Sequence, residues 1–348
     1  LVSIFMSIIF FISHPFMVFS LLRWIFKTCL KSPKHLYKSL LLLPSVLSIF
    51  KAVYKDKPDI VHLFWGHYPS MVGFLVKKYM PSTVMTQFLG AYDLMIDYPA
   101  SASLAKKADV VFTHSQSNLP LLENMGLNPN LVRVVLRGTK LDPPFNGLLS
   151  RFKSLDRPIF LCAARLIKEK GVDDTIRVFN EVMQHKPKSF LRIAGEGPYK
   201  QELIKLAVSL GCINNIQFLG HVKQDALIKH MSESNFFLLM SRKPSERLPN
   251  VVKEAMFQQC VVVTTATEGI HELVESGISG FVVKMGDYTT ASTHILTCIA
   301  EPQTCREIAS TAKGRISKDF NVNKKMKQYV YFWHGALKNN PTYDNGFN

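Results

Sequence analysis

Acidic residues are scarce in this 348-residue chain: 26 Asp and Glu stand against 42 Lys and Arg, a formal net charge of +16. Cysteine is also sparse. The six present (Cys29, Cys162, Cys212, Cys260, Cys298, Cys305) form no Cys-x-x-Cys pair. That excludes a structural zinc site of the usual spacing, argues against a disulfide framework, and points to a reducing compartment. No Gly-x4-Gly-Lys-Ser/Thr loop occurs, and Gly195-Glu-Gly197 lacks the third glycine of a dinucleotide fingerprint. Zinc-finger spacing, an RNP-like string and Arg-rich tracts are missing too, so nucleic acid is the weaker of the partners that a basic chain implies. No repeat of solenoid length interrupts the chain.

What is present is enough apolar residue (47%) for buried cores and a length that implies two domains. The positive charge is spread over both halves, with 15 Lys/Arg and 7 Asp/Glu in residues 1–150. Residues 1–57 are lopsided. They hold Arg23, Lys27, Lys31, Lys34, Lys38, Lys51, Lys55 and Lys57 against the single acid Asp56. Basic residues among long apolar runs suit an anionic membrane surface. Residues 1–22 carry no charge apart from His14 and have the length of a membrane span, with Pro15 interrupting them. The preferred reading is helices that pack or lie on a surface; a single N-terminal span is the alternative. A cleaved signal sequence is disfavoured, because no basic segment precedes the apolar run and no small-x-small site follows it.

From Asp59 onward, apolar runs alternate with helix-length stretches. Strands are expected at Ile60–Phe64, Val84–Leu89, Val110–His114 and Val132–Leu136, with helices at Met71–Tyr79 and Ser115–Met125. Asp142–Arg157 reads as a linker. Beyond it come strands Ile159–Ala163, Phe190–Ala194, Ile216–Leu219, Phe236–Met240, Val261–Thr265 and Phe281–Val283. Helices Val172–His185, Lys200–Leu210, Gln224–Ser232 and Asn250–Gln259 are expected between them. Such alternation implies parallel sheets covered on both faces, and these bind ligands at the carboxyl ends of their strands. Asn323–Leu337 sets Met326, Tyr329, Val330, Trp333 and Leu337 at helical spacing, a packing stripe. Asn339–Asn348 reads as a loose tail.

The strand-end loops of the second half carry the chemistry. After Ala163 come Arg165 and Lys170, two cations beside a helix start, suited to a phosphate. Gly195 and Gly197 follow Ala194 and permit close backbone approach or a tight turn. After Met240 comes Ser-Arg-Lys-Pro-Ser-Glu246-Arg-Leu248-Pro249-Asn250-Val251, with Glu254 about one and a half turns into the next helix. Pro249 at the helix start leaves the Asn250 and Val251 amides open to an anion. The loop after Thr265 holds Glu268, Gly269 and Glu272. Each loop alone reads as solvated decoration; four on one sheet do not.

With those residues in view, the second half resembles the family-four retaining glycosyltransferases of the GT-B fold. The matching strings are Ala164-Arg-Leu-Ile-Lys-Glu-Lys-Gly171, Ile193-Ala-Gly-Glu-Gly-Pro198, Phe218-Leu-Gly220, Ser245-Glu-Arg-Leu-Pro-Asn-Val-Val-Lys-Glu-Ala-Met256, Glu268-Gly-Ile-His-Glu-Leu-Val274 and Gly277-Ile-Ser-Gly-Phe-Val-Val283. The first half is similar to the polysaccharide-biosynthesis branch through Val61-His-Leu-Phe-Trp-Gly-His-Tyr-Pro69, Gly90-Ala-Tyr-Asp93 and Leu136-Arg-Gly138. The resemblance implies an α/β fold of two doubly wound Rossmann-like domains facing a cleft, with extra N-terminal apolar helices. Residues 1–150 would form the acceptor-side domain, with 1–50 membrane-associated. Residues 151–320 would bind the donor, and 321–338 would cross back as a helix.

It further implies transfer of a sugar from a UDP- or GDP-sugar to a glycan or lipid-linked acceptor. Arg165 and Lys170 would grip the diphosphate, Glu246 would lie beside the transferred sugar, and Glu254 would bind the ribose. Leu248, Asn250 and Val251 would offer backbone amides, Gly195 and Gly197 would line the donor, and His221 and Val222 would edge the base. Gly66, His67 and Asp93 would be acceptor-side. No cofactor or metal is implied, and the absence of Asp-x-Asp agrees with that. The location would be cytoplasmic, peripheral on the inner face of the membrane.

Several positions depart from the family. Gln258-Gln-Cys260 replaces a common Gly-x-Pro, and Gly90 stands where histidine is frequent. His67 either compensates or is structural. Residues 1–50 resemble the helical part that follows the family's first strand, so the amino end reads as shortened. A catalytically silent relative, binding nucleotide or a membrane partner only, is therefore the alternative; a sugar-nucleotide epimerase is disfavoured by the Glu246 to Glu254 spacing.

Overall fold

A computed structural model describes residues 14–140, 148–244 and 246–340. The chain divides into two compact units, Leu1–Leu136 with Lys325–Asn348, and Arg137–Lys324.

The first unit opens with helix α1, Pro15–Cys29, and helix α2, Pro33–Asp56. Pro15 begins a helix, at a position whose N–H needs no partner. The rest of the apolar stretch, residues 1–13, lies outside the described residues. Met17, Val18, Leu21, Trp24, Ile25 and Cys29 recur at helical spacing and are buried. Trp24 stacks on Phe74 at 4.6 Å and donates its indole N–H to Ser103 at 3.1 Å. In α2 only Ser39, Val46, Leu47 and Phe50 are buried.

A parallel sheet follows, with β1 (Ile60–Leu63), β2 (Val84–Phe88), β3 (Val110–Thr113) and β4 (Val132–Val134) in consecutive order. Register is set by pairs such as Ile60 with Val84 and Val111 with Val132. The connections are α3 (Ser70–Tyr79), two short helices α4 (Ala91–Ile96) and α5 (Pro99–Ala105), and α6 (Leu119–Asn124) after a 3₁₀ turn at Gln116–Asn118. Sequence reading left α4 and α5 unassigned and made one helix of Ser115–Met125. Each piece is under two turns, too short for an apolar period to emerge.

In the second unit, β5 (Ile159–Ala163), β6 (Phe190–Ala194), β7 (Ile216–Gly220), β8 (Phe236–Leu239), β9 (Val261–Thr265) and β10 (Phe281–Val283) are all parallel. Their spatial order is β10-β9-β8-β5-β6-β7. The chain starts in the middle, winds outward through β7, then returns to the far side of β5. Connecting helices are α7 (Val172–His185), α8 (Lys200–Ser209), α9 (Gln224–Glu233) and α10 (Asn250–Phe257). Then α11 (Tyr288–Ala300), α12 (Pro302–Asp319) and α13 (Val322–Lys338) close the described chain. Strands β5, β8 and β9 are buried nearly throughout, which is why their sequences run as continuous apolar stretches.

Two expectations need correction. The segment read as a linker, Asp142–Arg157, is part of the second unit from residue 148 on; residues 141–147 lie outside the described residues. Phe152 and Leu155 enter the core, and Arg151 donates to the carbonyls of Met231, Ser232 and Gln258. Proline and glycine nearby masked this anchoring. The α13 stripe is also rotated: Tyr329, Phe332 and Trp333 pack on Phe88, Phe112 and Val135, whereas Met326 and Val330 are exposed. The expected tail beyond residue 340 lies outside the described residues.

Candidate functional site

Winding reverses between β7 and β8, so the crevice of such a sheet lies at the carboxyl ends of β5 and β8. Two loops meet there, Ala164–Gly171 and Met240–Pro249. Gly171 (φ +60°) makes the approach possible: a Cβ on it would sit 1.8 Å from the Met240 carbonyl oxygen. The Arg242 N–H donates to the Glu169 carbonyl at 2.9 Å. The Arg242 guanidinium forks onto Asp173 at 2.9 and 3.1 Å and reaches Asp174 at 2.5 Å, both in the first turn of α7. Burial would raise the Asp173 carboxyl, but Arg242 and Arg177 outweigh it and hold the group below its usual range.

This fastening brings Lys170 and Glu246, 76 residues apart, into a half-buried ion pair between Lys170 Nζ and Glu246 Oε1. The loop after β9 supports it, with Thr267 Oγ1 donating to the Glu246 carbonyl at 2.7 Å. Glu246 Oε2 is buried with no hydrogen-bond partner. Residue 245, in the same loop, lies outside the described residues.

Beside the crevice lies a cavity of ≈ 260 Å³ lined by Arg165, Gly195, Glu196, His221, Val222 and Val251, among others. Arg165 is exposed. Gly195 (φ +140°) lies against Ala164, whose carbonyl oxygen a Cβ would meet at 1.9 Å, so this glycine serves close backbone packing. Pro249 occupies the cap position of α10 and supplies no side-chain acceptor to the amides of Asn250 and Val251. Leu248 is buried, and Glu254 is half-buried one turn along α10. Lys253, its neighbour, is fully buried and donates to the Arg137 carbonyl at 2.7 Å and Asn250 Oδ1 at 3.2 Å. Burial first, then Arg137, push its ammonium down to about 7.

In the first unit, Gly66, His67 and Asp93 also come together. Buried Asp93 accepts from the Gly66 N–H at 3.0 Å, the Gly90 N–H at 3.0 Å and His67 Nδ1 at 2.7 Å. The Gly66 carbonyl accepts from Gln87 at 2.9 Å, Ser101 at 2.6 Å and Ser70. Exposed Trp65 and Tyr92 stand edge-on to the His67 ring at 5.8 and 6.1 Å. Sequence reading passed over both aromatics, and over Glu196, Leu227, Arg242 and Arg247 in the second unit. Two exposed aromatics carry no period, and an arginine in a basic loop gives no sign of burial. A larger cavity, ≈ 800 Å³, lies elsewhere in the first unit, between α13 and the amino ends of the strands, with none of these residues.

The two-sheet parallel architecture defines the GT-B class of α/β protein. The structure of Anabaena Alr3699/HepE in complex with UDP superposes with a TM-score of 0.73 at 21% identity, covering 85% of this chain and 83% of that one. Residues 150–315 match the family described as "Glycosyl transferases group 1". Among curated relatives, N-acetyl-alpha-D-glucosaminyl L-malate synthase of Bacillus anthracis is 26% identical over 49% of this chain and 44% of its own. The GDP-mannose-dependent alpha-(1-6)-phosphatidylinositol monomannoside mannosyltransferase of Mycolicibacterium smegmatis is 30% identical over 46% of this chain and 43% of its own. The matches thus span less than half the length of these two relatives.

Proposed function

We propose that the chain is a retaining glycosyltransferase that moves a sugar from a nucleoside-diphosphate sugar to a glycan or lipid-linked acceptor in cell-surface polysaccharide biosynthesis. The observation that carries this reading is the meeting of Lys170 and Glu246 at the switch point of a group 1 glycosyl transferase domain. Arg165 and Lys170 would balance charge developing on the leaving diphosphate, assisted by the open amides at the start of α10. Glu246 would accept from hydroxyls of the transferred sugar and Glu254 from the ribose. The relatives' names and the UDP in the Anabaena structure support a UDP- or GDP-linked donor. In the first unit, the His67–Asp93 pair with Trp65 and Tyr92 offers an acceptor sugar both hydrogen bonds and flat apolar faces.

Membrane docking on the cytoplasmic side is part of the proposal. Phe16, Phe19, Phe26, Leu30, Tyr37 and Leu41 are exposed on α1, α2 and their turn, interleaved with exposed Lys27, Lys31, Lys34 and Lys38. Mixed apolar and cationic surface fits an anionic bilayer face. By length and composition α2 could also cross a membrane, with mean hydropathy 1.5 over its most apolar window.

Nucleotide-dependent thermal stabilisation and radiolabelled sugar transfer test the reading. Lys170→Ala and Glu254→Ala should each lower transfer about 10²- to 10³-fold. Normal transfer by both variants would overturn the assignment. Nucleotide binding without turnover on any donor and lipid-linked acceptor would leave a silent relative.

A further inference from the structure

Lys253 is the one lysine among the described residues that is fully buried. A buried ammonium costs more free energy than an apolar side chain of similar length, so its place is explained by what it holds. It holds three partners at once. Nζ donates to the Arg137 carbonyl at 2.7 Å and to Asn250 Oδ1 at 3.2 Å, and lies 5.4 Å from the centre of the Phe320 ring.

Those partners stand at mechanically distinct places. Asn250 opens α10, where its amide and that of Val251 have no side-chain cap. Arg137 and Phe320 lie close to the two points where the chain passes between its compact units, after Leu136 and after Lys324. Beside Lys253 these two crossings are laced together. The Thr139 N–H donates to the Phe320 carbonyl at 2.8 Å, and the Val322 N–H donates to the Thr139 carbonyl at 3.2 Å. Gly138 permits the approach, since a Cβ on it would lie 2.6 Å from Val322 Cα. The Lys253 N–H ties the same residue to the helix start, donating to the Pro249 carbonyl at 3.3 Å. A displacement of the first turn of α10 therefore reaches both crossings through one side chain.

From this we infer that Lys253 is a positioning residue: it couples a nucleotide bound at the start of α10 to the two chain crossings, which tighten when the donor site fills. The inference rests on the donor-site reading above and deepens it. Closed off from solvent, the side chain acts through its partners and not on the substrate. An oxyanion at the open amides draws on the first turn and favours the charged ammonium, which strengthens the bonds to Arg137 and Asn250.

Hydrogen exchange at the Thr139 and Val322 amides of the full chain, without nucleotide and with saturating UDP or GDP, tests the coupling. Whichever nucleotide binds by calorimetry should slow both amides about tenfold. Lys253→Met should still bind that nucleotide, within about threefold of the unaltered chain, and lose the slowing. A merely structural lysine predicts otherwise: exchange would quicken with and without nucleotide alike, and the slowing would persist. That outcome overturns the inference, and so does nucleotide that binds the unaltered chain without slowing either amide. Should Lys253→Met fail to fold, Asn250→Ala takes its place, keeping the backbone amide and removing the Oδ1 acceptor. It should show less slowing than the unaltered chain, and full slowing there overturns the inference. Failure of both UDP and GDP to bind would sink the donor-site reading and this inference with it.

Discussion

The two units differ in how densely they pair ionisable groups. The second unit gathers charges at the carboxyl ends of its strands, with Lys170 on Glu246, Arg242 on Asp173 and Asp174, and Arg247 on Glu268. The first unit pairs fewer, with His67 on Asp93 and Lys77 on Asp109, and it also buries a histidine halfway. His62 Nδ1 meets Thr86 Oγ1 at 2.8 Å, the ring is flanked by Phe112, Tyr329 and Trp333, and burial pushes its pKa down to about 4. Paired charges cluster at the strand ends of the second unit and are sparser in the first. The difference explains why motifs crowd the second and exposed apolar residues crowd α1 and α2 of the first.

The sharpest way to break the contrast is at the meeting of the two loops. Gly171→Ala forces a Cβ onto the Met240 carbonyl in a left-handed conformation and should destabilise the second unit by about 4 kcal/mol. Hydrogen exchange in β5 and β8 reads it; unchanged protection there would show that the loops are free to separate.

Next comes the outer face of the first unit. Replacing Lys31, Lys34 and Lys38 by Gln should weaken binding to vesicles containing anionic lipid by about 1 kcal/mol per residue, with nucleotide affinity unchanged. Co-sedimentation that ignores both the substitutions and added salt would remove membrane docking.

Two further effects are in pH dependence, and both groups have lowered folded pKa values. His62 stays neutral when folded, so its contribution is complete above pH 6.5 and is lost as pH falls toward about 4, costing about 2 kcal/mol. Trp24, Trp65 and Trp333 all belong to the first unit, so tryptophan fluorescence in urea follows it; His62→Phe should flatten the acid limb. Lys253 acts in a higher window. Its unfolded form binds more protons between about pH 7 and 10.5, so stability is lost as pH falls through that range, by about 1 kcal/mol per unit. Hydrogen exchange in α10 at pH 7 and 9, with Lys253→Met as reference, checks the sign.

Much of the second unit was legible before any coordinates. Strands such as Ile159–Ala163 and Val261–Thr265 have the expected bounds, because buried parallel strands leave runs free of charge. Arg165, Gly195 and Val251 were named from their loops and His221 and Val222 from the family resemblance, and all five line one cavity. Arg242 and Arg247 were not distinguished. In a chain with 42 Lys and Arg, nothing local separates a solvated cation from one folded inward. Gln259 is a further case: it adopts φ +60°, a left-handed conformation that glycine favours and that this side chain concealed.

Residue order alone determined the alternation of strand and helix, the parallel sheets, and which loops fall at strand carboxyl ends, because period and punctuation are local properties. Tertiary structure decided which of those loops touch, which cations lose water, and where a donor and an acceptor are left without partners. Those outcomes depend on distances between residues tens of positions apart, and only packing sets such distances.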